Sequence, residues 1–286
     1  MEKTIVTRVA FQGAAGAFSE EAIHAWFGAD AAVAVPCREF GDVAEAVRIG
    51  VVELGMLPVE NSIAGSVAGA YDALAAGGLV VVGELVRPIR HFLLGVPGAT
   101  LPGVRRVVSH PVALAQCGRF LGDLPGVQVV AVYDTAGAAR EVAELADSAM
   151  AAVAARGAAE RYGLTILAPD IQDRDDNRTR FFVVARADAA PGTAGRRGAS
   201  WKTVILFETA HRSGALVAVL SPFAERGVSL TRIESRPGDA PWHYRFFIEI
   251  EGRIEDMPVA QAVADAAAAA RSLRVLGSFP REEDPG

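Results

Sequence analysis

Lysine is nearly missing from this chain of 286 residues: Lys3 and Lys202 are its only examples, and arginine supplies the other cationic side chains. Neither lysine follows a glycine, so the G-K-[ST] loop that cradles a nucleotide phosphate is excluded. Cysteine is as scarce. Cys37 and Cys117 cannot build a disulfide framework and point to a reducing compartment. The five histidines, at 24, 91, 110, 211 and 243, show no H-E-x-x-H or paired-ligand spacing, so no metal site is expected. No run nears the ~18 apolar residues of a membrane span. The opening MEKTIVTRVAFQG has no signal-peptide pattern, so a cytoplasmic protein without membrane contact is expected. The net charge of −6 weighs against a nucleic-acid binder, whose affinity comes from clustered cations. What is present is ordinary for a globular chain: 51% hydrophobic and 22% charged residues, which argues against disorder. At roughly 150 residues per domain, two domains are expected.

Strand-like and helix-like patterns alternate from residue 5 to about 168. Ile5 to Phe11 reads as a strand, and Ser19 to Phe27 as a helix capped by Ser19. Phe40, Val43, Ala44 and Val47 keep helical spacing until Gly50, and Val52 to Val59 is strand-like. Alternation of this kind predicts parallel sheets covered by helices. Long strand-like crossings near 80–95 and 168–185 divide it into two α/β lobes, with the chain returning to the first through Thr179 to Ala185. A cleft between the lobes is the expected ligand site. Residues 187–200 read as a linker, and 201–281 show a βαββαβ order, the ferredoxin-like arrangement. Pro222 falls inside the first helix of that unit, where it should kink the helix.

Several strand-to-helix loops carry small or hydroxyl residues: Gly13 to Ser19, Glu60 to Ser66, Ser109 to Pro111 and Asp134 to Gly137. One at a time they are helix caps. Together, converging helix amino termini present free N–H groups and partial positive charge, which would hold an anion with few cationic side chains. Gly13-Ala14-Ala15-Gly16 lacks the three-glycine spacing of a dinucleotide fingerprint. The segment 171–181 is densely polar and then enters an apolar strand. Side chains alternate faces there, so Thr179 and Phe181 share one face and Arg180 takes the other.

Taken together, these motifs resemble prephenate dehydratase with a carboxy-terminal ACT regulatory domain. The likeness spans nearly the whole chain. It rests on GxxGxFS at Gly13 to Ser19, PVENSxxGSV at Pro58 to Val67, SHPxALAQC at Ser109 to Cys117 and NxTRF at Asn177 to Phe181. In the second domain it rests on GAL at Gly214 to Leu216 and ESRP at Glu234 to Pro237. Departures are Ala14 and Ala17 in the first motif, Val112 in the third, and Arg212-Ser213 ahead of GAL. The fold class implied is α/β: a two-lobed, periplasmic-binding-protein-like (type II) catalytic domain over 1–186, plus an α+β ferredoxin-like ACT domain over 201–281.

The activity implied is that of a carbon–oxygen lyase without cofactor or metal. It turns prephenate into phenylpyruvate with loss of water and carbon dioxide, on the way to L-phenylalanine. Prephenate carries two carboxylates and a ring hydroxyl, and aromatisation supplies the driving force. The resemblance makes Thr179 the group that assists hydroxide departure; Glu60 is a reserve general acid if the cleft raises its pKa. Ser19, Asn61, Ser62, Ser109, Thr135, Asn177 and Arg180 are the expected substrate contacts, with Phe181 packed near the ring. L-Phenylalanine is the implied effector, held by Gly214, Ala215, Leu216, Val217, Glu234, Ser235 and Arg236 in a homodimer or homotetramer. Two alternatives stay open. One is a dehydratase of arogenate, which carries an amino group in place of the keto group; the other is a non-catalytic amino-acid sensor built on the same cleft.

Overall fold

A computed structural model describes residues 6–188 and 200–282. Most of the expected linker, 189–199, lies outside the described residues. The first lobe runs β1 (Thr7–Gln12), α1 (Phe18–Phe27), β2 (Ala32–Cys37), α2 (Phe40–Arg48), β3 (Leu54–Asn61), a two-residue β4 (Gly65–Ser66), α3 (Ala68–Ala75) and β5 (Leu79–Pro88). The second runs β6 (Phe92–Gly95), β7 (Arg106–Ser109), α4 (Pro111–Gln116), α5 (Gly118–Gly122), β8 (Gln128–Ala131), α6 (Thr135–Leu145), β9 (Met150–Ala154), α7 (Arg156–Tyr162) and β10 (Thr165–Ala168). The chain then returns through β11 (Arg178–Arg186). Ser19 is not the cap of α1. The helix begins at Phe18 with Ala17 as its cap, and Ser19 lies buried in the first turn.

The lobes hold separate sheets, ordered β2-β1-β3-β11-β5 and β10-β6-β9-β7-β8. They are mixed rather than parallel, which corrects the expectation. β1 pairs parallel with β2 and β3, but β11 runs antiparallel to both β3 and β5, and β6 runs antiparallel to β9 and β10. Direction is set by the end of the sheet at which a crossing chain re-enters, and no local pattern records that.

The C-terminal domain is the expected βαββαβ: β12 (Trp201–Glu208), α8 (Ala215–Glu225), β13 (Leu230–Pro237), β14 (Tyr244–Glu251), α9 (Met257–Ala269) and β15 (Ser272–Pro280). Its sheet is ordered β13-β14-β12-β15. α8 continues through the buried Pro222 to Glu225. The helices cover one face of the sheet, and the other face packs on the first lobe. Val204, Leu206, Phe247, Leu276 and Phe279 form one core with Tyr71, Val81, Phe182 and Val184. Ring centroids lie 4.9 Å apart for Tyr71 and Phe247 and 5.8 Å apart for Phe182 and Phe279, both edge-on.

Gly277 on β15 is the tightest point of that contact. A Cβ there would stand 2.1 Å from the Val81 carbonyl oxygen, a backbone atom that cannot step aside. Gly277→Ala should therefore force the two sheets apart and cost about 1–3 kcal/mol, the usual range for overpacking. Urea unfolding followed by intrinsic fluorescence reads this as a lowered midpoint, and an unchanged midpoint would mean the sheets are free to slide.

Candidate active site

Between the lobes lies a cavity of about 500 Å³. Helix amino termini from both lobes meet there: α1 through Phe18 and Ser19, α3 through Ser66 and Val67, α4 through His110 and Val112, and α6 through Asp134 and Thr135. Asp134 caps α6 by accepting from the Gly137 N–H at 2.5 Å, and His110 Nδ1 accepts from the Val112 N–H at 3.2 Å. Burial pushes the His110 imidazole below its ordinary value, against the pull of Asp134. Among the described residues that line the cavity there is no lysine or arginine, and Asp134 is the one carboxylate. Positive potential for an anion therefore comes from helix termini rather than from cationic side chains.

Thr179, on β11, and Asn61, the last residue of β3, stand opposite each other in register at the cavity wall. The Asn61 amide is fixed from outside, because its Oδ1 accepts from the backbone N–H groups of Ile63 at 3.0 Å and Ala64 at 2.8 Å. Its Nδ2 must then donate, and it does so to Asn177 Oδ1 at 2.8 Å, to the Arg178 carbonyl at 3.1 Å and to Thr179 Oγ1 at 3.0 Å. Thr179 Oγ1 is thus an acceptor toward Asn61, which leaves its own O–H free to donate elsewhere. Gln116 extends the network: its Nε2 lies 3.3 Å from Asn61 Oδ1, and its Oε1 accepts from Asn177 Nδ2 at 3.0 Å. His91, which also lines the cavity, sits with Nε2 2.9 Å from the same Gln116 oxygen. Sequence reasoning did not nominate Gln116 or His91. Gln116 stood inside the SHPxALAQC motif, whereas a lone histidine in an apolar run carries no signal.

Five of the expected residues line the cavity together: Ser19, Asn61, Thr135, Thr179 and Phe181. The others lie elsewhere. Ser109 is fully buried and donates to the Val153 carbonyl at 2.6 Å. Ser62 donates to the Asp176 carbonyl at 3.0 Å and accepts from the Arg178 N–H, so it braces a loop. Asn177 stands behind Asn61, joined to it and to Gln116.

Glu60 and Arg180 require a correction. Strand alternation puts both on the sheet face away from the cavity, where Arg180 donates to Glu60 Oε2 at 2.9 Å. Glu60 also pairs with Arg232 of the C-terminal domain. It is a partner in an interdomain ion cluster, not a general acid in the cleft. In that cluster Arg180 donates to Glu249 at 2.7 Å through both terminal nitrogens and to Glu84 at 3.2 Å, while Lys202 reaches Glu84 at 2.7 Å. Burial opposes the Glu249 carboxylate, but Arg180, Lys202 and Arg232 outweigh it and hold its pKa below the ordinary glutamate value.

The expected effector residues also divide. Ala215 and Leu216 line a separate cavity of about 440 Å³ with His211, Arg212, Trp242 and Tyr244, beside Gly214, the amino-terminal cap of α8, at φ 75. Val217 points away and is exposed. Glu234 and Arg236 lie on the half-buried side of β13 and bond to the first lobe: Glu234 accepts from Ser66 Oγ at 2.5 Å, and Arg236 donates to Asp72 at 2.9 Å. Ser235, between them, takes the exposed side. Ser66 itself lines the cleft cavity, so the C-terminal domain touches the cavity wall directly.

Comparison with known proteins follows this geometry. The prephenate dehydratase profile matches residues 9–189, and the ACT domain profile matches 203–268. An Arabidopsis thaliana protein named arogenate dehydratase/prephenate dehydratase 2, chloroplastic, is 42% identical over 96% of this chain and 72% of its own length. Among solved structures, a prephenate dehydratase of Arthrobacter aurescens in complex with L-Phe is 36% identical, with a TM-score of 0.86 over 96% of this chain and 90% of that one. The structure titled GqqA, a novel type of quorum quenching acylase, has the same identity and TM-score over 96% of this chain and 98% of that one.

Proposed function

We propose, from the premise that this chain belongs to the prephenate dehydratase family of lyases, that its cleft converts prephenate to phenylpyruvate. The catalytic unit would comprise residues 1–186, and the ACT unit, 201–281, would regulate it. One observation carries the reading: a cavity ringed by helix amino termini, with no lysine or arginine among its described lining residues, holds a threonine hydroxyl whose proton is free to donate. The termini suit the two carboxylates of the substrate. The ring C–O bond breaks with its electrons on oxygen, and the ring carboxylate leaves as carbon dioxide. The electrons of that C–C bond complete the aromatic ring. Thr179 donates a hydrogen bond to the departing hydroxide, where negative charge grows in the transition state.

Incubation with prephenate should yield phenylpyruvate, with carbon dioxide released in equal amount. Arogenate is the second reading, favoured by the names of relatives such as the Arabidopsis protein. A higher kcat/KM for arogenate, with phenylalanine as product, would establish it. Consumption of neither substrate would sink both.

L-Phenylalanine is proposed to bind the cavity at the start of α8 and to reduce turnover. Its coupling to the cleft should lie in the usual range of about 5–150-fold. The contacts from Glu234 to Ser66 and Arg236 to Asp72 supply a route. Because the two domains share a core, the test uses the full chain. L-Phenylalanine should raise the melting temperature and lower activity, and Leu216→Glu should abolish both responses. Inhibition that survives Leu216→Glu would place the effector elsewhere. A homodimer or homotetramer joined through the C-terminal domains is proposed from its exposed apolar residues, Val217, Ile233 and Met257. Light scattering would read the mass.

A further inference from the structure

The hydrogen-bond chain that frees the Thr179 proton also fixes the protons of His91, and this has a consequence for substrate binding. Two backbone N–H groups, of Ile63 and Ala64, oblige Asn61 Oδ1 to accept. The Gln116 atom facing that oxygen must therefore be its nitrogen, and Asn177 must turn its own oxygen toward Asn61 Nδ2. Asn177 then presents its nitrogen to Gln116, whose Oε1 accepts. The remaining group at Gln116 Oε1 is His91 Nε2, 2.9 Å away, so Nε2 carries the hydrogen. His91 Nδ1 is left with a bare lone pair. That atom is buried, the residue is 2% exposed, and no group among the described residues bonds to Nδ1. The ring nonetheless lines the cleft cavity, held edge-on against Phe18. A buried acceptor without a donor costs stability unless something else meets it.

Resting on the function proposed above, we infer that His91 contacts the substrate, with Nδ1 accepting a hydrogen bond from the substrate's ring hydroxyl. The chemistry of the ligand selects that group. The carboxylates and keto group of prephenate are acceptors only, and the ring hydroxyl is its one donor. The same side-chain chain would then act twice on one atom. His91 draws the hydroxyl's hydrogen to one side, which turns a lone pair of its oxygen toward the Thr179 O–H. The leaving group is oriented before the bond breaks. The ring hydroxyl is common to prephenate and arogenate, so the contact does not depend on which of them is turned over.

The test is His91→Gln, whose amide nitrogen can keep the bond to Gln116 Oε1 while the Nδ1 acceptor is lost, together with His91→Phe, which keeps only the shape. The parent is assayed first on both substrates. An inactive parent would overturn the function and this inference together, whereas an active parent tests His91 alone. With a parent-like melting temperature, His91→Gln should lower kcat/KM about tenfold on both substrates, the worth of one hydrogen bond. Unchanged kcat/KM overturns the contact, and a loss confined to arogenate reassigns the donor to the amino group and overturns the hydroxyl. If His91→Gln is unstable, nitrogen-15 NMR of the histidine-labelled parent decides, with His91→Phe assigning the signal. The inference requires an unprotonated Nδ1 beside a protonated Nε2, and the opposite tautomer overturns it.

Discussion

Replacing Thr179 with valine is expected to lower kcat roughly 10²–10³-fold, the loss typical of a single donor to a developing oxyanion, with the fold intact. The second half of that expectation comes from hydrogen-bond counting. Asn61 Nδ2 has two hydrogens and three acceptors, so losing Thr179 Oγ1 still leaves Asn177 Oδ1 and the Arg178 carbonyl. No buried donor is orphaned, and valine keeps the branched shape suited to a strand. Because the bond strengthens only as charge reaches the leaving oxygen, kcat and kcat/KM should fall together with little change in KM. Thr179→Ser should restore most of the activity. Steady-state kinetics alongside thermal melts check all of this, and a kcat within a few-fold of the parent would remove Thr179 from the mechanism. A threonine hydroxyl is a poor acid. With Glu60 on the far face of the sheet, Thr179 is proposed to stabilise hydroxide rather than to protonate it.

The second large effect lies one residue along. Arg180→Met should destabilise the chain by about 3–5 kcal/mol, the range for breaking a buried ion pair from one side. Glu84 and Glu249 are almost inaccessible, and Arg180 is the group that bonds to both carboxylates as well as to Glu60. Lys202 stays with Glu84 and Glu249, and Arg232 with Glu60, but these two cations then face three carboxylates. Combining Arg180→Met with Glu249→Gln should recover part of the loss, because the uncompensated charge is removed with its partner. Chemical denaturation of the two single variants and the double variant measures the coupling, and simple additivity would contradict it. A pH dependence accompanies it. The folded pKa of Glu249 is depressed, so its contribution is complete above the unfolded value and is lost as pH falls through the folded one. Acid should therefore lower the melting temperature of the parent more than that of Glu249→Gln.

Much of this was legible in the residues. Apolar runs and their punctuation located two lobes and a βαββαβ unit, because both periods are local properties of the chain. Alternation correctly separated Thr179 and Phe181 from Arg180. Applied to β3, the same rule would have taken Glu60 out of the cleft, since Asn61 is its neighbour; the motif drew attention to both. The direction of β11 was not readable, because it depends on where a chain crossing ends. Nor was the ion cluster: its members sit on β3, β5, β11, β12, β13 and β14, and only the docking of two sheets brings them together. Glu234 and Arg236 were assigned to the effector because they share a motif, yet a strand divides such a motif between its two sides.

The position of β11 bears on how the chain is made. It is the last strand of the first lobe to be synthesised, yet it fills the slot between β3 and β5. Until the ribosome has passed residue 186, that lobe is two fragments with open edges facing each other. The second lobe, complete by β10, has every strand in hand while its predecessor still waits. Folding should thus run out of sequence order, with the middle of the polypeptide settling first and the amino-terminal part closing around a late arrival. A stalled nascent chain ending before β11 would expose paired edges, and so would be a natural client for a holding chaperone.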